Sequence, residues 1–496
     1  MKKKTATEEG RKEEKIGMKY KRKNFSKWFS EVIAKTELAD LRYKVKGFLV
    51  HRPWSVLAMK RMYEFYEKEM ERFGHEPVWF PVVIPEENLK KEAKHVEGFS
   101  PEVMWVTETG CGKKLTEKFA LRPTSETAMY PMYAKWVRSW RDLPLKLYQS
   151  GQVWRYETKA TRPFIRGREF YWIEGHDVFA TLEEAEKQVR EDMQITENVM
   201  HVVYGIPFIQ IQRPEWDKFP GAIHTYTADT LMPDGKVIQQ PSTHLLGQNF
   251  AKAFSIKFKD RDEKEKYVWQ TCYGPAIWRM FASVIAMHGD DRGLRFPYEI
   301  APVQVIIIPI TGLGEEKRVF KKCKEIAEKL DKSNIRARID FSENTPGWKF
   351  NQWEMKGVPI RIEVGPKELK ARSVTLVRRD SEKRHRALEK NLIKTIDRAG
   401  KDINKKLRTG AEGFLRKNVR EAKDLKELGE QLKKGGFVKV DFCSIDIEGL
   451  PCAEKIKDKF HAQVRGKRFD KAERPKGKCI ICGKPATCVA YVGREY

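Results

Sequence analysis

Two groups of residues in this chain have types and spacings that suit chemistry. The first is a set of cysteines. Cys479-Ile-Ile-Cys482 is a Cys-x-x-Cys followed by Gly483, which suits a tight metal-binding turn. Cys443 and Cys452 can supply a second pair, and four thiolates make the tetrahedral set of a structural zinc. Reduced core cysteines without metal are the alternative. Cys488 is left over, and Cys323 falls on an apolar helix face. The second group is four segments in the first 300 residues. They are Leu121-Arg-Pro-Thr-Ser-Glu-Thr127, Gln152-Val-Trp-Arg-Tyr-Glu157, Arg166-Gly-Arg-Glu-Phe-Tyr-Trp-Ile-Glu-Gly-His176, and Gln270-Thr-Cys-Tyr-Gly274 with Arg279. Arginines at such places suit phosphate or carboxylate. Each segment is weak alone: Arg-x-Glu recurs by chance in a charged chain, and Thr124 or Ser125 can simply cap a helix. Taken in order they form a constellation.

These side chains need elements to hold them. Ala58, Met62, Phe65, Tyr66, Met70 and Phe73 recur at helical steps, and Gly74 stops that helix. A strand with prolines is expected from Val78 to Pro85. Residues 145–180 read as two strands joined by a charged loop, and 181–200 as an acidic helix. From 220 to 300 strands and helices mix, as in an antiparallel sheet with helices packed on it. At Ala301 the pattern changes. Val305–Ile310 reads as a buried strand, followed by a helix with Val319, Phe320, Cys323, Ile326, Ala327 and Leu330 on one face. Strands at 335–341, 358–364 and 374–379, a helix from Gly347 and a long charged helix complete an α/β unit. After Gly410 a further helix carries Leu415, Val419, Ala422, Leu425 and Leu432, and Gly435-Gly436 ends it. The expected divisions are a basic tail at 1–24, an α+β unit at 25–300, an α/β unit at 301–408 and a small cysteine-bearing unit at 409–496. Units as small as the last often need a metal, because their own core is thin.

The chain has 496 residues, too many for one domain, and 11% of them are aromatic, which excludes intrinsic disorder. Its most apolar run, Val303 to Ile310, is interrupted by Gln304 and is far short of the roughly 18 residues of a membrane span. No secretory signal is visible in the charged stretch from Met1 to Asn24, so a cytoplasmic protein without disulfides and without membrane attachment is expected. The formal net charge is +27, of which residues 301–496 carry +19 and residues 1–300 carry +8. A polyanion suits such a surface, and nucleic acid is the commonest large one, although many exposed lysines give the same number.

The ordered constellation resembles the class II aminoacyl-tRNA synthetases, and within them the prolyl-tRNA synthetase family of archaeal and eukaryotic type. The likeness runs from about Gly47 to Tyr496. The helix ending near Gly74 with Phe80-Pro81 resembles motif 1, which implies a homodimer. Arg155-Tyr-Glu157 and Arg166 to His176 resemble motif 2, and Gly274 through Gly293 motif 3. The LRPTSET loop and Trp-x-Glu-Gly-His point to proline. Pro346-Gly-Trp-Lys349 and Gly357 to Gly365 resemble an anticodon-binding domain. The fold implied is an antiparallel-sheet catalytic domain, an α/β anticodon-binding domain and a small zinc-binding domain. The activity implied is ATP-dependent ligation of L-proline to tRNA(Pro) through prolyl-adenylate, with Mg2+ on the nucleotide. Another class IIa synthetase, such as a threonyl one, and an inactive synthetase-like RNA-binding protein are the alternatives.

The resemblance also implies roles. Arg155 meets the α-phosphate and the amino-acid carboxylate. Glu157 accepts from the adenine amino group, Phe170 stacks on adenine and Arg166 meets the outer phosphates. Arg279 covers the nucleotide or its γ-phosphate, with Gln239 and Ser242 near ATP and its magnesium. Thr124 and Glu126 accept from the proline ammonium. Trp172 and Phe99 wall the ring, Glu174, His176 and His244 shape the floor, and Gly274 leaves room for ligand. Pro275-Ala-Ile-Trp278 before Arg279 is longer than the expected link. About 100 residues separate His176 from Gly274, too few for an editing insertion, and no Cys with two His for an active-site zinc is seen. By the same likeness Tyr496 reaches back toward the catalytic domain.

Overall fold

The computed structural model describes residues 21, 24–95, 103–157, 160–311 and 314–496. The basic tract at 1–20, with 22 and 23, lies outside them. Helix Pro53–Arg72 starts on a proline, whose fixed φ suits a first turn, and buries Ala58, Met62, Tyr66 and Met70 along one stripe. Gly74 then takes φ +88°, a left-handed value that side chains resist, and the helix ends. The strand expected over Val78–Pro85 is instead two short ones, Glu76–Pro77 and Val83–Pro85. Pro77, Pro81 and Pro85 withhold the N–H donors that a continuous ladder needs.

Eleven strands form the central sheet. Its antiparallel part runs Ile209–Gln212, His224–Leu231, Val237–Gly247, Trp269–Gly274, Glu169–Phe179 and Leu145–Trp154, each antiparallel to the next. Helices Pro53–Arg72, Leu182–Thr196 and Ile277–His288 pack on it, and their apolar faces share one core with Tyr66, Ile173, Ile195, Tyr273 and Phe281. The α/β unit is a five-stranded sheet. Ala337–Ile339, Val305–Pro309 and Ile360–Val364 are parallel, then Ser373–Arg378 and Arg384–Leu388 are antiparallel. Arg384–Leu388 is absent from the sequence reading, because this edge strand buries only Ala387 and so carries no apolar alternation.

Two boundaries differ from expectation. Helix Leu392–Lys417 runs straight through Gly410, where one helix was expected to give way to another. Its buried stripe of Ile396, Ile403, Leu407, Ala411 and Leu415 continues across the glycine, and a helix absorbs one exposed glycine for about 1 kcal/mol. The expected boundary at 408/409 therefore falls inside a helix. Val419 belongs to strand Val419–Glu421, and the helix that follows is Leu425–Lys433, with Gly435 and Gly436 after it at positive φ.

The cysteine-bearing segment also does more than append a small unit. Its strands Phe437–Phe442, Cys488–Gly493 and Gln463–Arg468 extend the central sheet, with Lys467 opposite Gln212 and Arg468 opposite Ile211. The edge of Ile209–Gln212 is thereby paired rather than left as a row of open donors and acceptors. Gly466 makes the junction. It sits at φ +124°, and a Cβ there would lie 1.9 Å from the Gln212 carbonyl oxygen, so only glycine passes.

Candidate active site

Strand alternation builds the first wall. In Glu169–Phe179 the side chains at 170, 172, 174 and 176 share one face, and that face lines a cavity of about 230 Å³. Strand Trp269–Gly274 lies alongside, pairing Cys272 with His176 and Tyr273 with Gly175. Strand Val237–Gly247 pairs Ser242 with Gly274 and His244 with Cys272. The period of two and the register thus gather Phe170, Trp172, Glu174, His176, Ser242, His244 and Gly274 in one place. A Cβ on Gly274 would meet the Trp172 ring at 3.2 Å, so the room left by this glycine is taken first by that indole.

The loop before helix Glu126–Trp136 forms the acidic end. Glu174 is buried and accepts from Thr124 Oγ1 at 2.8 Å, from Ser125 N at 2.9 Å and from the Ser125 hydroxyl. Thr124 also contacts Glu126, and its single proton serves one carboxylate at a time. His176 Nε2 lies 3.6 Å from Glu174 Oε1, while Nδ1 is 3.3 Å from the Tyr130 hydroxyl. Burial alone would raise the Glu174 carboxyl, but the His176 contact with the Ser125 and Thr124 donors outweighs it and holds the group below its usual value. Burial works equally to lower the His176 imidazole, and Glu174 with Glu126 and Asp177 raises it by more. His244 is different. Burial beside His176, Arg213 and Arg155 pulls it down to about 3, so it is a neutral ring, bonded to Thr225 at 2.9 Å and to Ser242 at 3.2 Å.

The other end is cationic. Arg155 Nε donates to the Pro123 carbonyl at 3.0 Å, and its guanidinium lies 5.2 Å from the Phe170 ring and 5.3 Å from the Trp172 ring. Arg279 Nη1 donates to the Gln239 carbonyl at 3.0 Å. Burial, with Arg155 and Arg166 near it, brings Arg279 down to about 10, still charged at neutral pH. Pro275 to Trp278 does not displace it, since Ile277 starts the helix that carries it to the cavity. Glu157 and Arg166 lie outside the cavity lining, side by side, with Arg166 Nε 3.8 Å from Glu157 Oε2. Phe99 lies outside the described residues. Arg213 was not foreseen. It is buried, lines the cavity and donates from Nη2 to Gln239 Oε1 at 2.8 Å. The signal for it was a charge at the end of the alternating run Ile209–Gln212.

Among the described residues three donor sets could hold a metal, one of them the buried His75, Asp177 and Asp192, where His75 Nε2 lies 3.2 Å from Asp177 Oδ2. Glu126, His176 and Cys272 bring one ligand atom each within 4.8 Å of one another, a grouping absent from the sequence reading. Burial and Glu126 push the Cys272 thiol well above its usual value, so without a metal it stays protonated beside the Glu126 carboxylate. Cys443, Cys452, Cys479 and Cys482 also lie within 4.8 Å of one another, away from the cavity. The long gap between Cys443 and Cys452 is closed by the turn after strand Phe437–Phe442 and by the first turn of helix Leu450–Phe460. Gly483 at φ +73° turns the chain after Cys482, and its N–H donates to the Cys479 carbonyl at 3.0 Å. Four sulfurs so close fit a tetrahedral zinc, whose bond length of about 2.3 Å sets sulfurs about 3.8 Å apart. Cys488 bonds instead to the Phe442 carbonyl at 3.7 Å, and Cys323 is core.

Comparison with known proteins agrees with this architecture. Residues 106–288 match the tRNA synthetase class II core domain (G, H, P, S and T), 304–399 the anticodon binding domain and 425–496 the prolyl-tRNA synthetase C-terminal family. A proline–tRNA ligase of Thermofilum pendens is 50% identical over 96% of this chain and 98% of its own length. One of Pyrococcus abyssi is 42% identical over 95% and 98%. The structure of a Giardia lamblia prolyl-tRNA synthetase in complex with prolyl-adenylate superposes with a TM-score of 0.92 at 34% identity, covering 96% of this chain and 99% of that one. With its three regions matched in order and its relatives aligned from end to end, the chain belongs to the prolyl-tRNA synthetase family of class II.

Proposed function

We propose that this chain ligates L-proline to tRNA(Pro) in two steps, using ATP with Mg2+. A carboxylate oxygen of proline attacks the α-phosphorus, the new C–O–P bond forms, and the bond to the β-phosphate breaks to release pyrophosphate. A ribose hydroxyl of the terminal tRNA adenosine then attacks the carbonyl carbon and expels AMP. No general base is needed in the first step, because the substrate carboxylate is ionised at neutral pH. Charge develops on phosphoryl oxygens, so fixed cations carry that step.

The observation that supports this reading best is the split polarity of one cavity. Thr124, Glu126 and Glu174 cluster at one end, Arg279 and Arg213 meet at Gln239 at the other, and Arg155 lies against the Trp172 ring. Thr124 and Glu126 accept from the proline ammonium, Trp172 walls its ring, and Glu174, His176 and His244 hold that floor in shape. Arg155 meets the α-phosphate and the carboxylate. From the lining, Phe170 stacks on adenine, Arg279 meets the outer phosphates, and Gln239 and Ser242 take the metal-bound nucleotide; Glu157 and Arg166, paired outside it, reach in to the adenine amino group and the outer phosphates.

The remaining parts of the reading have their own supports. The basic surface of residues 301–496 binds tRNA, and the cysteine cluster holds a structural zinc. Such an enzyme works in the cytoplasm, beside its tRNA, and among the described residues no helix is long and apolar enough to cross a membrane. A second copy covers the motif 1 region, where Trp79 is 90% exposed beside exposed Val82 and Val83.

The test is amino-acid-dependent ATP–pyrophosphate exchange across all twenty amino acids without tRNA. Proline should win, with alanine or cysteine weakly active, because a lost methylene changes binding by only about 1–3 kcal/mol. A win for threonine would overturn the proline pocket, and no exchange at all in metal-replete protein would favour an RNA-binding role.

A further inference from the structure

We propose that Arg465, carried by the cysteine-bearing segment, is a positioning residue for the nucleotide half of the cavity. It neutralises Asp229 and so leaves Arg213 free to hold Gln239. This rests on the reading of Gln239 as a neighbour of ATP.

Arg465 and Asp229 are both buried, at 1% and 0% exposure, and the Arg465 Nε donates to Asp229 Oδ2 at 2.7 Å. Thr227 donates to the other oxygen at 3.0 Å. The same carboxylate faces a second guanidinium, with Arg213 Nη1 at 3.9 Å from Asp229 Oδ2. That is too long for a hydrogen bond and close enough for a ready alternative partner. Arg213 is occupied elsewhere. Its Nη2 donates to Gln239 at 2.8 Å, and its Nη1 reaches the Arg465 carbonyl at 3.4 Å and Asp217 at 3.2 Å. Two guanidinium groups thus share one buried carboxylate, and the one from the distant strand takes the short contact. Glu495 holds the far side of Arg465.

Without the Arg465 charge, Asp229 would be a buried carboxylate with Arg213 as its nearest cation. Arg213 would close on it and withdraw its donor from the Gln239 side chain, while the Gln239 backbone stays in the ladder opposite Asp229 and under the Arg279 contact. The strand Gln463–Arg468 is continuous with the sheet that bears the cysteines, so the state of that segment reaches the nucleotide end through one side chain.

The experiment compares full-length, metal-replete wild type with Arg465→Met, Arg465→Lys and the double variant Arg465→Met/Asp229→Asn. The readouts are the calorimetric Kd for ATP and the KM values for ATP and proline in pyrophosphate exchange. Arg465→Met should weaken ATP about tenfold while proline KM moves less than about twofold. Arg465→Lys keeps the charge with fewer donors and should lose about threefold. The double variant removes the orphaned carboxylate and should return ATP binding to within about twofold of wild type, which loss of packing alone would not do. Unchanged ATP affinity in Arg465→Met, or a double variant no better than the single, overturns the proposal. Should Arg465→Met fail to fold, an unchanged ATP Kd in Arg465→Lys overturns it instead. A wild type that binds ATP and exchanges with no amino acid overturns the functional reading, while the ATP Kd comparison still decides the role of Arg465.

Discussion

Glu174→Gln is the most informative single change at the acidic end. The wild-type carboxylate takes Thr124 and Ser125 N on Oε1 and the Ser125 hydroxyl on Oε2. A glutamine offers one oxygen and one NH2. With the NH2 at the Oε2 position it faces the Ser125 hydroxyl, which already accepts from Gln149 at 2.6 Å. With the amide reversed it faces the Ser125 N–H and the Thr124 hydroxyl. Either way at least one buried donor is stranded, at about 1–3 kcal/mol, and the bonds that remain lose their charge assistance. Thr124 and Ser125 begin the loop that presents Glu126, so the loss reaches the ammonium site. A net loss of about 2 kcal/mol lowers kcat/KM for proline roughly 30-fold. His176 would also lose the partner that most raises it, so its protonation step should move to lower pH than in the wild type. The assay is pyrophosphate exchange at saturating ATP with proline varied between pH 6 and 8. ATP KM, measured at saturating proline, should move by less than about twofold. A variant with wild-type proline kinetics across that range would refute the argument.

Three further outcomes are expected. Burial and the neighbouring Asp177 push Asp192 up to about 7, so the folded chain holds a proton that the unfolded chain releases near 3.8, and stability falls as pH rises through that window. Asp192→Asn should therefore stabilise by about 2 kcal/mol at pH 8 and by little at pH 4, read by urea unfolding, and a pH-independent difference would count against it. Cys452→Ser should reduce zinc from one per chain toward none in metal analysis and lower Tm by several degrees, and zinc retained at full stoichiometry would contradict the four-thiolate site. Tyr496→Ala removes a hydroxyl bond to Asp234 at 2.7 Å and a ring 5.2 Å from the Arg162 guanidinium, in the loop between Arg155 and Arg166. ATP KM should rise about threefold to tenfold, and an unchanged value would separate Tyr496 from that loop.

What the sequence made legible was local. The period of two through Phe170, Trp172, Glu174 and His176 is visible without any structure, and so is the stripe of Ala58, Met62, Tyr66 and Met70. Cys-x-x-Cys with a following glycine announces its own turn. Long-range pairing is not written that way. Nothing near Gln212 states that Lys467 will lie opposite it, so Arg213 and Arg465 were both missed. Gly410 misled because a glycine in an exposed helix position costs little when the buried stripe on either side is intact. The Cys443–Cys452 spacing is longer than that of a compact pair, but contour length is a poor guide across a turn that leads straight into a helix.

The seam between Ile209–Gln212 and Gln463–Arg468 has a consequence for how the molecule is made. A ribosome delivers the first of these strands about 250 residues before the second, which at about 5–20 residues per second leaves roughly 10–50 s. During that interval the edge of Ile209–Gln212 is an unsatisfied ladder, able to pair with any extended chain nearby, including its own copies on the same polysome. Asp229 likewise waits for its arginine. A nascent chain at this stage is therefore both adhesive and unable to hold its nucleotide wall in shape. Chaperone demand should peak late in synthesis, after the whole of the catalytic segment has already emerged.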